Sequence, residues 1–403
     1  MKKGNYATLI YLLVILLLSL MPRLWKLEQH PPLIVDEAAN LRDIDKILNS
    51  GNYNVLDFHW DFSKSQLVYF PALLVTNILG RQDSFLALRL TSSLFSILAL
   101  IPFFFIVKSL TNRSISFTTT LLLSFSYYYL QFSRVGWNDI IGVSCLGLYL
   151  IWFIQIASRK KSFLWAGASG VVAAIIFNAY RSGIIIILVS PFYLFYLLKN
   201  HKVSKEFFVK IMSCFLIVFF LLSLPWAIKI SKNWEKYNLR LRVVALKSVN
   251  IPYHGLTKKS EIYKYQILTS IKSWVFLDAA GGEREENPRY LPLKVPPVNT
   301  FVRIGFLIGL VVSIIRPRKT SIWLSIYILG IFFGQILTLD PPNGARGLII
   351  LPSIYIFFAL GLYKIYTASG KNKLVLTLLV IVSLLYCYLD FSYYQDWMGW
   401  IKV

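Results

Sequence analysis

Apolar residues fall in runs of about 15 to 22, separated by short polar connections, a period too long for strands and right for helices that cross a bilayer. Read this way, the chain predicts spans near residues 6–22, 86–107, 115–132, 140–157, 163–179, 183–198, 211–228, 301–315, 321–338, 347–363 and 374–389, eleven in all. One further run, QLVYFPALLVTNILG at 66–80, is apolar enough to pass for a twelfth span.

Charge decides its status. With eleven spans and the N-terminus inside, the short inner segments carry seventeen basic residues, from Lys2, Lys3, Lys108 and Arg113 through Arg159, Lys160 and Lys161 to Lys371 and Lys373. The short outer loops carry three, Arg134, Arg181 and Arg346. Inserting 66–80 as a span would place most of the basic clusters outside, against the positive-inside rule, so that run is expected to be a juxtamembrane helix on the outer face. The expected organisation is a membrane module at 1–228 including an outer loop at 23–85, a large extracytoplasmic loop at 229–300, and C-terminal spans at 301–403.

Composition agrees. Hydrophobic residues make up 56% of the chain and charged residues 15%, well under the ~25% of soluble domains. The fold class is therefore an all-α integral membrane protein with outer-face juxtamembrane helices, multi-pass in the plasma membrane. The net charge of +23 is dispersed in clusters between apolar runs, which is a topological signal and not the footprint of a nucleic-acid partner. Cys145, Cys214 and Cys387 all lie in apolar runs, so neither a disulfide framework nor a cysteine metal site is suggested. No small-residue cleavage site follows residues 6–22, and that run is read as a retained first span.

Chemistry concentrates in the first outer segment, HPPLIVDEAANLRDIDKILNSG at 30–51. Asp36 and Glu37 open a predicted amphipathic helix in which Leu41, Ile44, Ile47 and Leu48 recur at helical spacing before Gly51. On the expected topology Asp36, Glu37, Lys64, Arg134, Asp139, Arg181, Asp340 and Arg346 all map to the outer boundary. Simpler roles compete: Asp36 as a helix cap, Arg134 with Asp139 as a structural ion pair, Arg181 and Arg346 as headgroup anchors, and Tyr127, Tyr128 and Tyr129 as an interfacial belt. The scarcity of ionisable residues at mid-depth ranks a transporter or flippase of lipid-linked saccharides second to an enzyme, with a non-catalytic scaffold third.

Four segments resemble the GT-C superfamily of polyprenyl-phosphate-sugar-dependent glycosyltransferases, especially bacterial relatives of protein O-mannosyltransferases and lipid A aminoarabinose transferases. Asp36-Glu37 is similar to that family's first-loop acidic motif, and FSRVGWND at 132–139 to its second-loop motif, an arginine followed five residues later by an aspartate. LDAAGGEREENPRYLP at 277–292, running into a span, resembles the large late loop, and LDPPNGARGLIILP at 339–352 the proline-containing loop before a late span. Two departures stand out: Lys64-Ser65-Gln66 keeps the family's lysine without its two prolines, and Ser63 replaces a metal-ligating glutamate. His59 and His254 are isolated, so a divalent metal is compatible with the chemistry but no ligand spacing supports one.

The resemblance implies transfer of a sugar from a polyprenyl-phosphate donor to an extracytoplasmic acceptor. A polyprenyl phosphate leaves as a stable anion, so one carboxylate acting as base suffices where a glycosidase needs two. Asp36 is the candidate base, with Glu37 and Asp139 as supporting carboxylates; Lys64, Arg134, Arg181 and Arg346 are candidates to hold the phosphate. In-line attack inverts the anomeric centre.

The topology predicts that a cysteine replacing Ser162 is labelled by an impermeant reagent only from the cytoplasmic side, and one replacing Gly282 only from outside. Labelling of both from one side would end the eleven-span reading.

Overall fold

The computed structural model describes residues 3–80, 83–249, 251–275, 296–317, 320–339 and 343–398. Asp340, Gly282 and the 281–292 segment lie outside them. Among the described residues the regular elements are helices, and β pairing is confined to isolated bridges such as Ala245 with Thr338. Seven helices are long and apolar enough to cross a membrane: Tyr6–Leu24, Ser84–Leu110, Asn138–Lys160, Arg181–Asn200, Lys205–Lys232, Leu351–Ala368 and Lys373–Met398. Phe163–Ala179, Thr300–Ile315 and Ser321–Ile336 are shorter apolar helices in the places of three further expected spans. The protein is a multi-pass membrane protein. The 66–80 run forms a four-residue 3-10 turn and a ten-residue helix, about 23 Å of rise against a hydrocarbon core of ~30 Å.

The chain divides into two compact units, and it enters each more than once. The first comprises Met1–Ile34, Phe103–Val135 and Ala245–Val403, and the second Val35–Pro102 and Gly136–Val244. Both units are discontinuous in sequence, and the outer helix Val35–Ser50 packs with the loop that follows it and with the segment around Gly136.

In the first unit the expected span at 115–132 is two helices, Arg113–Phe125 and Tyr127–Arg134, broken at Ser126, whose ψ of 124° leaves the helical region. A helix end inside a bundle leaves carbonyls without partners. Arg23 supplies donors there: its Nη2 reaches the Ser124 carbonyl at 3.0 Å and its Nη1 the Ser124 hydroxyl at 3.2 Å. Arg134 does the same for the end of Lys3–Leu24 and the turn after it. Its Nη1 donates to Pro22 O at 2.6 Å, and its Nη2 to Trp25 O at 2.7 Å and His30 O at 2.9 Å. Both arginines are fully buried, each a cation at a helix C-terminus, where the dipole favours positive charge.

Small residues set the closest helix contact of this unit. A Cβ on Gly309 would fall 1.7 Å from the Phe357 carbonyl oxygen, and one on Gly361 2.0 Å from that of Gly305. Thr300–Ile315 and Leu351–Ala368 therefore meet backbone to backbone, the approach that a small-xxx-small pattern such as Gly305–Gly309 permits in lipid. Asn299 caps the first of them, accepting from Val302 N at 2.9 Å while its own amide donates to Asp390 at 2.8 Å. In the second unit Gly170 plays the same part, its position for a Cβ lying 2.7 Å from Phe215 O on Lys205–Lys232.

Gly309→Leu is expected to force those backbones apart and lower stability by at least about 2–3 kcal/mol. A thermal melt of the detergent-solubilised variant that matches the wild type would contradict the close contact.

Candidate active site

The Val35–Ser50 helix buries a face that its apolar spacing does not foretell. Ile44 and Ile47 point inward as expected, but so do Asp36, Glu37, Asn40 and Asp43. Polar groups tolerate burial only when hydrogen-bonded, and Glu37, Asn40 and Asp43 find partners within the same unit.

Glu37 has no exposed surface and holds three donors. Arg89 approaches it with two parallel bonds, Nε to Oε1 at 2.7 Å and Nη2 to Oε2 at 2.8 Å, and the Gly136 backbone N–H reaches Oε1 at 2.7 Å. Asn40 completes the grip, its Nδ2 donating to Gly136 O at 3.0 Å. Gly136 is thus bound at both its N–H and its carbonyl by one turn of the outer helix. A Cβ there would meet Leu88 at 2.6 Å and Glu37 Oε1 at 2.9 Å. Two residues on, Asn138 opens the next membrane helix and accepts from Ser92 Oγ at 2.6 Å.

Asp139, in the first turn of that helix, forms an ion pair with Lys64, both side chains almost wholly buried. Burial alone would lower the lysine's pKa, but Asp139 and then Asp61 outweigh it and hold the ammonium above its ordinary value. Lys64 therefore stays charged. Asp61 is held well below the usual carboxylate range: burial opposes this, and Lys64, His59 and Ser63 overcome it. His59 goes the other way, pushed down to about 3 by burial and then by Lys64, against the pull of Asp61. Asp43 accepts from Trp60 N at 3.0 Å and Tyr69 OH at 3.2 Å.

A second group adjoins Lys64. Ser65 donates its N–H and hydroxyl to Asn178 O at 3.0 and 3.1 Å, and the Lys64 ammonium lies 5.5 Å from the Tyr180 ring centroid. The next residue, Arg181, stacks its guanidinium 3.8 Å from the Tyr237 ring centroid. Its Nε and Nη2 are buried and meet no hydrogen-bond acceptor among the described residues.

The second unit thus brings together Glu37, Lys64 and Asp139, with Arg181 beside them and Asp36 in the first turn of the same helix as Glu37. Asp36 lies one residue inside that helix, 9% exposed. Arg134 and Arg346 belong to the first unit. Arg346 donates from Nη1 to Leu339 O at 3.2 Å and from its backbone to the Asn343 side chain at 3.1 Å. Among the described residues no group of three His, Cys, Asp or Glu side chains is gathered to ligate a metal. The sequence reading missed Arg89, Asn40, Asp43, His59 and Asp61. Two signals were there to find: an arginine near the start of an apolar run, and polar residues at 36, 40 and 43 repeating at helical spacing.

Glu37→Gln should cost about 3–5 kcal/mol by leaving the Arg89 charge buried without its partner, a loss read as a lower melting temperature. The His59 shift gives a pH dependence of definite sign. A histidine held neutral in the fold is protonated more readily when unfolded, so its contribution is complete above pH ~6.5 and is lost as pH falls toward 3. By pH 5 the loss is on the order of 2 kcal/mol, and His59→Gln should remove that slope from the melting curve.

A sequence profile of the family described as dolichyl-phosphate-mannose-protein mannosyltransferase matches residues 63–228. No curated protein sequence is significantly similar to the chain. Among solved structures, the chain is similar to ArnT from Cupriavidus metallidurans bound to undecaprenyl phosphate, with a TM-score of 0.55, 14% identity, and coverage of 90% of this chain and 60% of that one. It is also similar to the oligosaccharyltransferase AglB from Archaeoglobus fulgidus in complex with an inhibitory peptide and a dolichol-phosphate, with a TM-score of 0.60, 13% identity, and coverage of 99% and 56%. The chain spans about 60% or less of the length of these proteins. The likeness to these two structures is one of fold.

Proposed function

We propose that the protein is a membrane glycosyltransferase that moves a hexosyl or pentosyl unit from a polyprenyl-phosphate donor to an extracytoplasmic glycan, lipid or protein. The observation that carries this reading is the juxtaposition, in one unit, of the helix bearing Asp36 with two cations, Lys64 in the loop after it and Arg181 at the start of a membrane helix. One of those, Arg181, has a buried Nε and Nη2 without acceptors among the described residues, as a site for a phosphate oxygen requires. The family profile over 63–228 and the GT-C fold support it. The enzyme works in the plasma membrane, with its N-terminus cytoplasmic and its site on the outer face, as the asymmetry of basic residues indicates.

In the reaction Asp36 takes the proton of an acceptor hydroxyl as that oxygen attacks the anomeric carbon. The bond from that carbon to the phosphate oxygen breaks, its electron pair stays on the phosphate, and the anomeric configuration inverts. Lys64 and Arg181 offset the charge that gathers on the leaving phosphate, where fixed donors act most strongly. Glu37 and Asp139 are positioning carboxylates, the first through Arg89 and Gly136 and the second through Lys64. Arg134 supports the fold by its carbonyl contacts.

Asp36→Asn keeps size and shape but removes basicity, so it should abolish transfer while donor binding persists. Arg181→Ala should weaken donor binding about tenfold or more, and Lys should rescue it poorly for want of a planar fork. The assay uses purified folded variants with polyprenyl-phosphate sugars and reads sugar transferred and polyprenyl phosphate released. Near-normal turnover by Asp36→Asn, or movement of intact lipid-linked sugar across a vesicle membrane without polyprenyl phosphate release, would refute this function.

A further inference from the structure

Between the outer helix and Lys64 lies a loop closed by its own ends. The His59 N–H donates to the Lys64 carbonyl at 2.9 Å and the Phe62 N–H to the His59 carbonyl at 2.8 Å, with Phe62 at a φ of 57° to make the turn. The loop is fastened to Val35–Ser50 at three points. His59 Nε2 meets Asn40 Oδ1 at 2.9 Å, Trp60 Nε1 the same oxygen at 3.3 Å, and Trp60 N–H meets Asp43 Oδ2 at 3.0 Å.

Hydrogen-bond accounting fixes the histidine tautomer. Asn40 must present its amide nitrogen to the Gly136 carbonyl, so its Oδ1 can only accept. Nε2 of His59 therefore carries a proton. On the other side of the ring, Nδ1 receives the Asp61 backbone N–H at 3.4 Å and lies 3.2 Å from Asp61 Oδ1. The ring has no exposed surface and stacks on Tyr69 with centroids 5.2 Å apart. A histidine that merely filled the core would not need one nitrogen matched to a neighbouring helix and the other to its own loop.

The geometry points to His59 as the positioning residue for Lys64: by joining Asn40 on the helix of Asp36 to the closed 59–64 loop, it sets where the Lys64 ammonium stands relative to that helix. Its catalytic consequence rests on the proposed role of Lys64 in holding the donor phosphate. The His59 ring itself touches no reacting group.

The test compares His59→Gln, His59→Asn and His59→Ala in the full-length protein in lipid nanodiscs. Glutamine places an amide N–H near the position of Nε2 and asparagine near that of Nδ1, so only the former keeps the bond to Asn40. Two quantities are read: acylation of Lys64 by a small amine-reactive reagent, followed by peptide mass, and KM and kcat for the polyprenyl-phosphate sugar. In the wild type Lys64 is 3% exposed and should resist the reagent. Alanine and asparagine are expected to raise its acylation, and the donor KM, on the order of tenfold, with kcat changed less and glutamine restoring both. A lysine as protected in the alanine and asparagine variants as in the wild type, with only the melting temperature lowered, would overturn the positioning role. Should Lys64 become reactive while donor KM holds, positioning stands and the donor-phosphate role of Lys64 falls. If the alanine variant does not fold, the asparagine–glutamine pair decides the matter alone.

Discussion

The Glu37 carboxylate is the contact on which the candidate site depends. It is an anion with no access to water, and it persists there because a bidentate arginine and a backbone N–H complete its coordination. Through those bonds the first turn of an outer helix, the buried Arg89 on one membrane helix and the entry to another become one rigid corner. Gly136 is required at that corner because the carboxylate and the Leu88 side chain already fill the room a Cβ would need. Asp36, next in sequence to the anchored residue, inherits this fixity.

The two units use buried cations in contrasting ways. In the first, Arg23 and Arg134 satisfy carbonyls where helices end or break, an architectural use of charge that a bilayer makes necessary. In the second, Arg89 and Lys64 face carboxylates, and Arg181 presents nitrogens that no described residue satisfies. A side chain whose donors go to carbonyls is committed to the fold. One that is charged, stacked on an aromatic ring and short of acceptors is suited to an incoming anion.

Much of the fold was legible in the sequence because lipid imposes a length rule on apolar runs, and each expected span coincides with helix in the structure. The break at Ser126 was not legible: no Gly or Pro marks it, and Arg23, which donates to the Ser124 carbonyl there, lies a hundred positions earlier. The site was legible in part. Asp36-Glu37 stood out as adjacent carboxylates after a span, but the inward turn of Asn40 and Asp43 was hidden by apolar spacing that predicted a different buried face. His59 looked isolated because its partners are distant in sequence or on the backbone, and no linear pattern records a histidine tautomer.

The interleaving of the two units has a consequence for biogenesis. The second lies wholly within residues 35–244, so every one of its parts has been synthesised before Ala245 is added. The first awaits the end of synthesis, since Gly305 and Gly309 cannot meet Gly361 until the last helices emerge. Early helices of that unit, with Arg23 and Arg134 in their midst, must therefore reside in the membrane for much of translation with only their carbonyl partners in place. Helix-end arginines that find acceptors nearby allow the nascent chain to wait in lipid without exposing bare charge.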